Sequence, residues 1–293
     1  MSADTFLDAM PHLPGLDPLE DVAASGRDLH GKVAVVLGAS SGLGRGLAIA
    51  LAQQGVQLVL AARRTERLMH IELLLRESGA SVTAQHCDVA DAAEVAALAH
   101  TAREEFGQID LWINAAGTGA LGYFWDIPPE VHARQIAANV TGLIHACHAA
   151  LTQFRAQGHG LLINLGAADP TESGALLATA AASRAAAAHL GRSLNEELQL
   201  AGLGTAIKVV TVMPGAVDTP WWTRAANHYG ERPASAGLAD PARVVAAVAA
   251  LCALPVATLA TEFHLGASNA PLGLARQVFP ALRVGERPMG AEH

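Results

Sequence analysis

The chain has 293 residues, enough for one large α/β domain with a proper core. It is 51% hydrophobic but only 4% aromatic, so Ala, Leu, Val and Gly must build that core. A formal net charge of −8 argues against a nucleic-acid partner, whose phosphates call for a basic excess.

Residues 1–30 show no clear periodicity and read as a mostly irregular N-terminal extension. The regular part begins at Lys32. Val33–Leu37 is a short apolar run bounded by glycine, as a buried parallel strand would be. A helix is predicted over 42–54 and a second strand over 56–61. The segment 65–78 carries an apolar stripe at Leu68, Ile71, Leu74 and Leu75, the mark of an amphipathic helix. A strand at 81–86, a helix at 92–106 and a strand at 110–114 follow. Next come a long helix at about 129–156, a strand at 160–165 and an Ala-rich helix at about 174–201. A strand at 206–212, a loop at about 214–238, a helix at 241–253 and a last strand near 261–265 close the pattern. This alternation predicts an α/β fold: a single Rossmann-type, doubly wound parallel sheet with helices on both faces, spanning residues 31–267. Residues 268–293 are a Gly-, Pro- and Arg-rich tail that a partner subunit would order.

Three cysteines, Cys87, Cys147 and Cys252, lack metal spacing and leave one unpaired in any disulfide scheme, which suits a cytoplasmic protein. No basic start followed by an apolar run suggests a signal peptide. The longest apolar stretch, 244–260, contains Pro255 and reads as a buried helix and its exit rather than a membrane span. His145 and His148 are three residues apart on the long helix, but no third ligand is near in sequence, so packing is the expected role.

Gly38, Gly42 and Gly44 form G-x-x-x-G-x-G between a strand and a helix. Such glycines allow a turn and a close approach of pyrophosphate to a helix N-terminus. The second strand ends in Arg63-Arg64, with no carboxylate between Val56 and Thr65 to hold ribose hydroxyls. A guanidinium there suits a 2′-phosphate, so NADP is expected ahead of NAD.

At this point the chain resembles the short-chain dehydrogenase/reductase family over about residues 31–267. Gly38-Ala39-Ser40-Ser41-Gly42-Leu43-Gly44 resembles the family's phosphate loop, with Leu37 where Thr is usual. Asp88-Val89 resembles the pair that contacts adenine. Asn114-Ala115-Ala116-Gly117 resembles Asn-Asn-Ala-Gly with its second Asn replaced. Asn139 matches the helix asparagine of the family's proton relay. Pro214-Gly215, followed by Val217 and Thr219, resembles the segment that holds the nicotinamide carboxamide. The resemblance implies a bound nicotinamide dinucleotide, a small-molecule ligand of unknown identity, and a homodimer or homotetramer built through the long helices.

The departures fall in one place. The family uses a Ser to polarise the substrate carbonyl, a Tyr to pass the proton, and a Lys one helical turn on. Aligned on Ala182-Ser183-Arg184-Ala185-Ala186, those positions hold Ala167, Ala180 and Arg184. The two tyrosines, Tyr123 and Tyr229, have no lysine four residues later, so no shift recovers the motif. Alanine cannot donate a proton. Arg184 could hold ribose hydroxyls but titrates too high to relay protons. Loss of a general acid costs about 10²–10⁴-fold in rate. Tyr123, Asp169, Glu172, His228 and Tyr229 are candidate substitute acids, each more readily explained as a surface or packing residue. Three functions follow: an NADP(H)-binding protein without the family's chemistry, an oxidoreductase with a rebuilt site acting on an iminium or enone, or a structural partner of an active relative.

Overall fold

A computed structural model describes residues 27–166, 175–230 and 238–265. A seven-stranded parallel sheet lies at its centre. Its strands are β1 (Val33–Leu37), β2 (Gln57–Ala62), β3 (Val82–His86), β4 (Leu111–Asn114), β6 (Gly160–Leu165), β7 (Ile207–Met213) and β9 (Glu262–His264). They run in the order β3-β2-β1-β4-β6-β7-β9. Two short strands, β5 (Ala120–Leu121) and β8 (Ala226–Asn227), pair separately above the sheet. The helices are α1 (Gly42–Gln53), α2 (Thr65–Glu77), α3 (Ala92–Phe106), α4 (Pro129–Ile136), α5 (Gly142–Gln157), α6 (Ala178–Leu200), α7 (Trp221–Arg224) and α8 (Pro241–Ala253).

The strands are apolar on both faces because both faces are covered. Successive residues of β1 alternate between two cores. Ala34 and Val36 join one cluster with Leu47 and Leu51 of α1, Ile71 of α2 and Val248 of α8. Val35 and Leu37 join the other with Leu98 of α3, Phe154 of α5 and Leu198 of α6. Small residues let these layers close: a Cβ on Gly46 of α1 would lie 2.6 Å from Val245 Cγ2 of α8. At the N-terminal edge of the sheet, buried Asp110 accepts from the Lys32 ammonium (3.0 Å) and from the Val33 amide (3.0 Å). This fixes β1 beside β4.

The order of strands reverses between β1 and β4, paired in register from Ala34↔Leu111 to Leu37↔Asn114. Crossovers leave this junction in opposite directions, and the crevice beyond the strand ends is where such sheets bind ligands.

Two predicted elements differ in detail. The helix expected over 129–156 is interrupted by a π turn at Ala137–Thr141, because Asn139 is drawn toward the loop after β4. The loop expected over 214–238 contains α7 and β8, since Pro220 starts a helical turn that buries part of Trp221 and Trp222.

Candidate functional site

A cavity of about 420 Å³ occupies the crevice. Its floor is the chain leaving β1 and β4. Gly38 has φ +86°, a left-handed conformation that a side chain would strain. A Cβ there would also lie 2.6 Å from the Ala116 nitrogen. Gly44 packs equally tightly, since its Cβ would lie 2.5 Å from the Gly38 carbonyl oxygen. These two glycines bring the loops after β1 and β4 together. Gly42 meets little, with Thr219 Cβ 3.6 Å from where its own Cβ would be. The phosphate loop and the segment after β7, the lid of the cavity, thus meet here.

The first turn of α1 has no side-chain cap and no acidic residue. Its amide groups open toward the cavity, an arrangement that suits an anion. Arg64 folds back over it, and its Nη2 donates to Ser40 Oγ (2.8 Å) and Ser41 Oγ (2.7 Å). Arg63 is more exposed and lies 3.9 Å from Asp88. Arg224, from α7, completes the cluster. Burial, then Arg67 and Arg63, lowers the Arg64 pKa, while burial, then Arg64 and Arg67, lowers that of Arg224. Several like charges therefore converge on one end of the cavity. The residues present fit the phosphates of a dinucleotide: free amides, two serine hydroxyls and a cation cluster.

The far wall is different. The Asn114 side chain points into the sheet, accepting from Trp112 Nε1 (2.9 Å) and donating to Asn164 (2.8 Å), so Ala115–Gly117 present backbone and small side chains to the cavity. Asn139 accepts from the Thr118 amide (2.9 Å), and its amide group donates to the Thr118 carbonyl (2.9 Å) and to Ser183 Oγ (3.2 Å). It ties the π turn to the loop after β4. Ala180 and Arg184 both reach the cavity, one turn apart on α6. Ala180 is only 3% exposed and belongs to an apolar cluster with Leu121, Leu176 and Leu177, against which Tyr123, Trp221, Trp222 and Tyr229 pack. Trp221 packs against Gly119, which leaves no room for a Cβ there. Leu176, in this cluster, holds a left-handed φ of +67°, a strained conformation of the kind found near ligand sites.

The sequence-predicted residues converge well. The phosphate-loop residues Ser40 to Leu43, both arginines, Val89, Asn139, Pro214, Gly215, Val217 and Thr219 all line the cavity. Gly44 supports it from behind, and Asp88 stands outside the lining beside Arg63. Ala167, Asp169 and Glu172 lie outside the described residues. Among the described residues, no Tyr, His, Lys, Asp or Glu lines the cavity. Cys87 does, and burial first, then nearby Glu94, Asp88 and Asp91, pushes its thiol up to about 12. Tyr123 and Tyr229 pack behind the wall instead, and their rings meet edge-on at 6.0 Å. His145 ties its ring to the Val89 carbonyl (3.1 Å), and among the described residues no cluster of potential metal ligands exists. Sequence reasoning missed Arg224, Ser183 and Gly142 in the lining. Arg224 had one local signal, a helical turn opened by Pro220.

Comparison with known proteins agrees with this geometry. A family model for short chain dehydrogenase matches residues 32–230. An uncharacterized oxidoreductase of Staphylococcus haemolyticus is 33% identical over 205 residues, covering 70% of this chain and 85% of that one. An alcohol dehydrogenase of the archaeon Thermococcus sibiricus, solved with 5-hydroxy-NADP, superposes with a TM-score of 0.71 at 27% identity, covering 82% of this chain and 99% of that one. A short chain dehydrogenase/reductase of Burkholderia phymatum, solved with NAD, gives 0.65 at 29% identity, covering 79% and 81%. Fold, phosphate loop and sequence agree, and the chain belongs to the short-chain dehydrogenase family.

Proposed function

We propose that the protein binds NADP(H) in this cavity and does not carry out the family's usual carbonyl reduction. The observation that carries this reading is the lining: a cation-rich dinucleotide cradle at one end, and at the other no described side chain that titrates near neutral pH. Gly38 to Leu43 and the open turn of α1 would hold the pyrophosphate. Arg64, with Ser40 and Ser41, would hold the 2′-phosphate, assisted by Arg63. Val89 would face the adenine, and Thr219, beside Gly42, the nicotinamide half. When bound, the nicotinamide supplies a hydride donor or acceptor. Reduction of a carbonyl also needs a proton delivered to oxygen, and a well-placed acid contributes about 10²–10⁴-fold. Ala180 cannot deliver it. Arg184 keeps its proton at neutral pH even with its pKa brought down to about 10 by burial.

Calorimetric titration with NADPH and NADH tests the first half. NADPH should bind more tightly, and Arg64→Ala should weaken NADPH by about 10-fold while leaving NADH within about 2-fold, as expected for loss of charge-assisted bonds to one phosphate. Equal affinities for the two cofactors, or no binding, would count against it. A panel of ketones and aldehydes with NADPH tests the second half. Turnover at an ordinary enzyme's rate, about 1–10³ s⁻¹, would show that another acid has taken over.

A further inference from the structure

Among the described residues, Arg184 is a cation without a counter-ion. It has no hydrogen bond or ion pair with a described residue, and burial alone brings its pKa down to about 10. Several other half-buried cations have partners, although Arg45 Nε and Arg27 Nη2 are also buried without one. Arg27 donates to the Cys252 carbonyl (3.0 Å), Lys208 to the Leu259 carbonyl (3.3 Å), and Arg192 makes two bonds to Glu262 (2.6 and 3.1 Å). A desolvated, unpaired charge in a cavity wall is costly. An arriving anion would neutralise it.

The surroundings define what that anion is like. Beside Arg184 are Ala180 and the apolar cluster roofed by Trp221 and Trp222. Neighbouring polar groups are already committed: Ser183 Oγ donates to the Ala180 carbonyl (2.8 Å) and accepts from Asn139. Among the described residues, the other cations of the lining, Arg63, Arg64 and Arg224, belong to the phosphate-loop end, so Arg184 is left to meet a single charge. A planar guanidinium with five donors matches a single carboxylate, two bonds to two oxygens. Ribose hydroxyls could occupy some of those donors, but being neutral they leave the charge uncompensated.

We propose that Arg184 is the anion-binding residue of a second ligand subsite, which takes a small carboxylate with an apolar, aryl-sized body seated between Ala180 and the Trp221–Trp222 roof. The proposal rests on the reading that a dinucleotide fills the phosphate-loop end of the same cavity. It gives the chain a ligand class, apolar carboxylic acids, in the place where the family otherwise works on a carbonyl. The change from Lys to Arg then has a purpose: a relay that titrates is exchanged for a permanent bidentate cation.

A matched pair of probes tests it. Phenylacetate and phenylacetamide share shape and differ in charge. Each is titrated calorimetrically into the wild-type protein, Arg184→Met and Arg184→Lys, with and without saturating NADP⁺, and NADP⁺ itself is titrated into all three. Wild type should prefer phenylacetate by at least about 10-fold, as one bidentate charged pair allows. Arg184→Met should bring that preference below about 2-fold both with and without NADP⁺, so that a loss of ribose contacts, read from the NADP⁺ titration, is told apart from loss of the carboxylate. Arg184→Lys should retain part of the preference. Equal affinity for the two probes, a preference that survives Arg184→Met, or no phenylacetate binding to either form would overturn the proposal. If NADP⁺ fails to bind wild type, the cofactor reading falls, and the titrations without it decide the carboxylate subsite by themselves.

Discussion

Arg184 shows how a single side chain can lower stability in exchange for binding. With no ligand present, the folded state partly buries a charge that the unfolded chain leaves in water. Arg184→Met keeps most of the apolar volume and removes that charge, so it should stabilise the apo protein by about 1–2 kcal/mol. The pH dependence has a definite sign. Burial lowers the native pKa from the ordinary guanidinium value to about 10. Below pH 10 both folded and unfolded chains hold the proton, and the penalty is complete and constant. Between about 10 and the ordinary guanidinium value the folded chain releases the proton first, so wild-type stability rises there relative to the variant. Urea denaturation at pH 7 and pH 9 should therefore give Arg184→Met the same advantage at both values. A less stable variant would mean that the guanidinium has a structural partner. The type of residue at 184 was legible in the sequence. Its isolation was not, because that depends on what α6, α7 and the loop after β4 bring around it.

At the scale of elements, the site depends on how α5 docks. Its first residue, Gly142, sits against the loop after β3, where a Cβ would lie 2.6 Å from Val89 Cγ2 and 3.0 Å from the Val89 carbonyl oxygen. One turn on, His145 bonds that same carbonyl. The helix thus grips the segment proposed to face adenine. Gly142→Ala should push Val89 aside, with an overpacking cost of about 1–3 kcal/mol. It should also weaken NADPH and NADH by a similar factor, since both carry adenine, in contrast to Arg64→Ala, which is expected to affect NADPH alone. Titrations of the variant with both cofactors check this, and a selective loss of NADPH would contradict it. Much of this element was readable beforehand. A long helix was expected over about 129–156, and His145 was expected to lie on it. The π turn at 137–141 was not readable, because helical periodicity runs on through Ala-Ala-Asn-Val-Thr and only the pull of Thr118 on Asn139 breaks it.

Over the whole molecule, alternation of short apolar runs with helical stripes was enough to foresee the parallel sheet. Right-handed crossovers leave few other arrangements. The strand order also places the glycine loop and Asn114–Gly117 at one crevice. The lid contacts were beyond reach, since Trp221 on Gly119 and Arg224 near Arg64 join segments roughly 100 to 160 residues apart. That crevice is also where both halves of the sheet and both cores meet, so a ligand there should stabilise them together. The three thiols can report on this. Cys87 and Cys147 belong to one core and Cys252 to the other, each at most 2% exposed and pushed up to about 12 chiefly by burial. As buried, protonated thiols they should resist a thiol-labelling reagent at pH 8 and react only on opening. If the domain opens as one unit, all three should label at one slow rate. NADP⁺ at about 100 times its Kd should slow all three by a common factor of about 100, the mass-action value of about 2.7 kcal/mol. Mass spectrometry of each labelled peptide separates the outcomes. Protection of Cys87 and Cys147 without Cys252 would mean that the two faces of the sheet open independently. Fast labelling of Cys87 alone would place a local opening at the cavity wall.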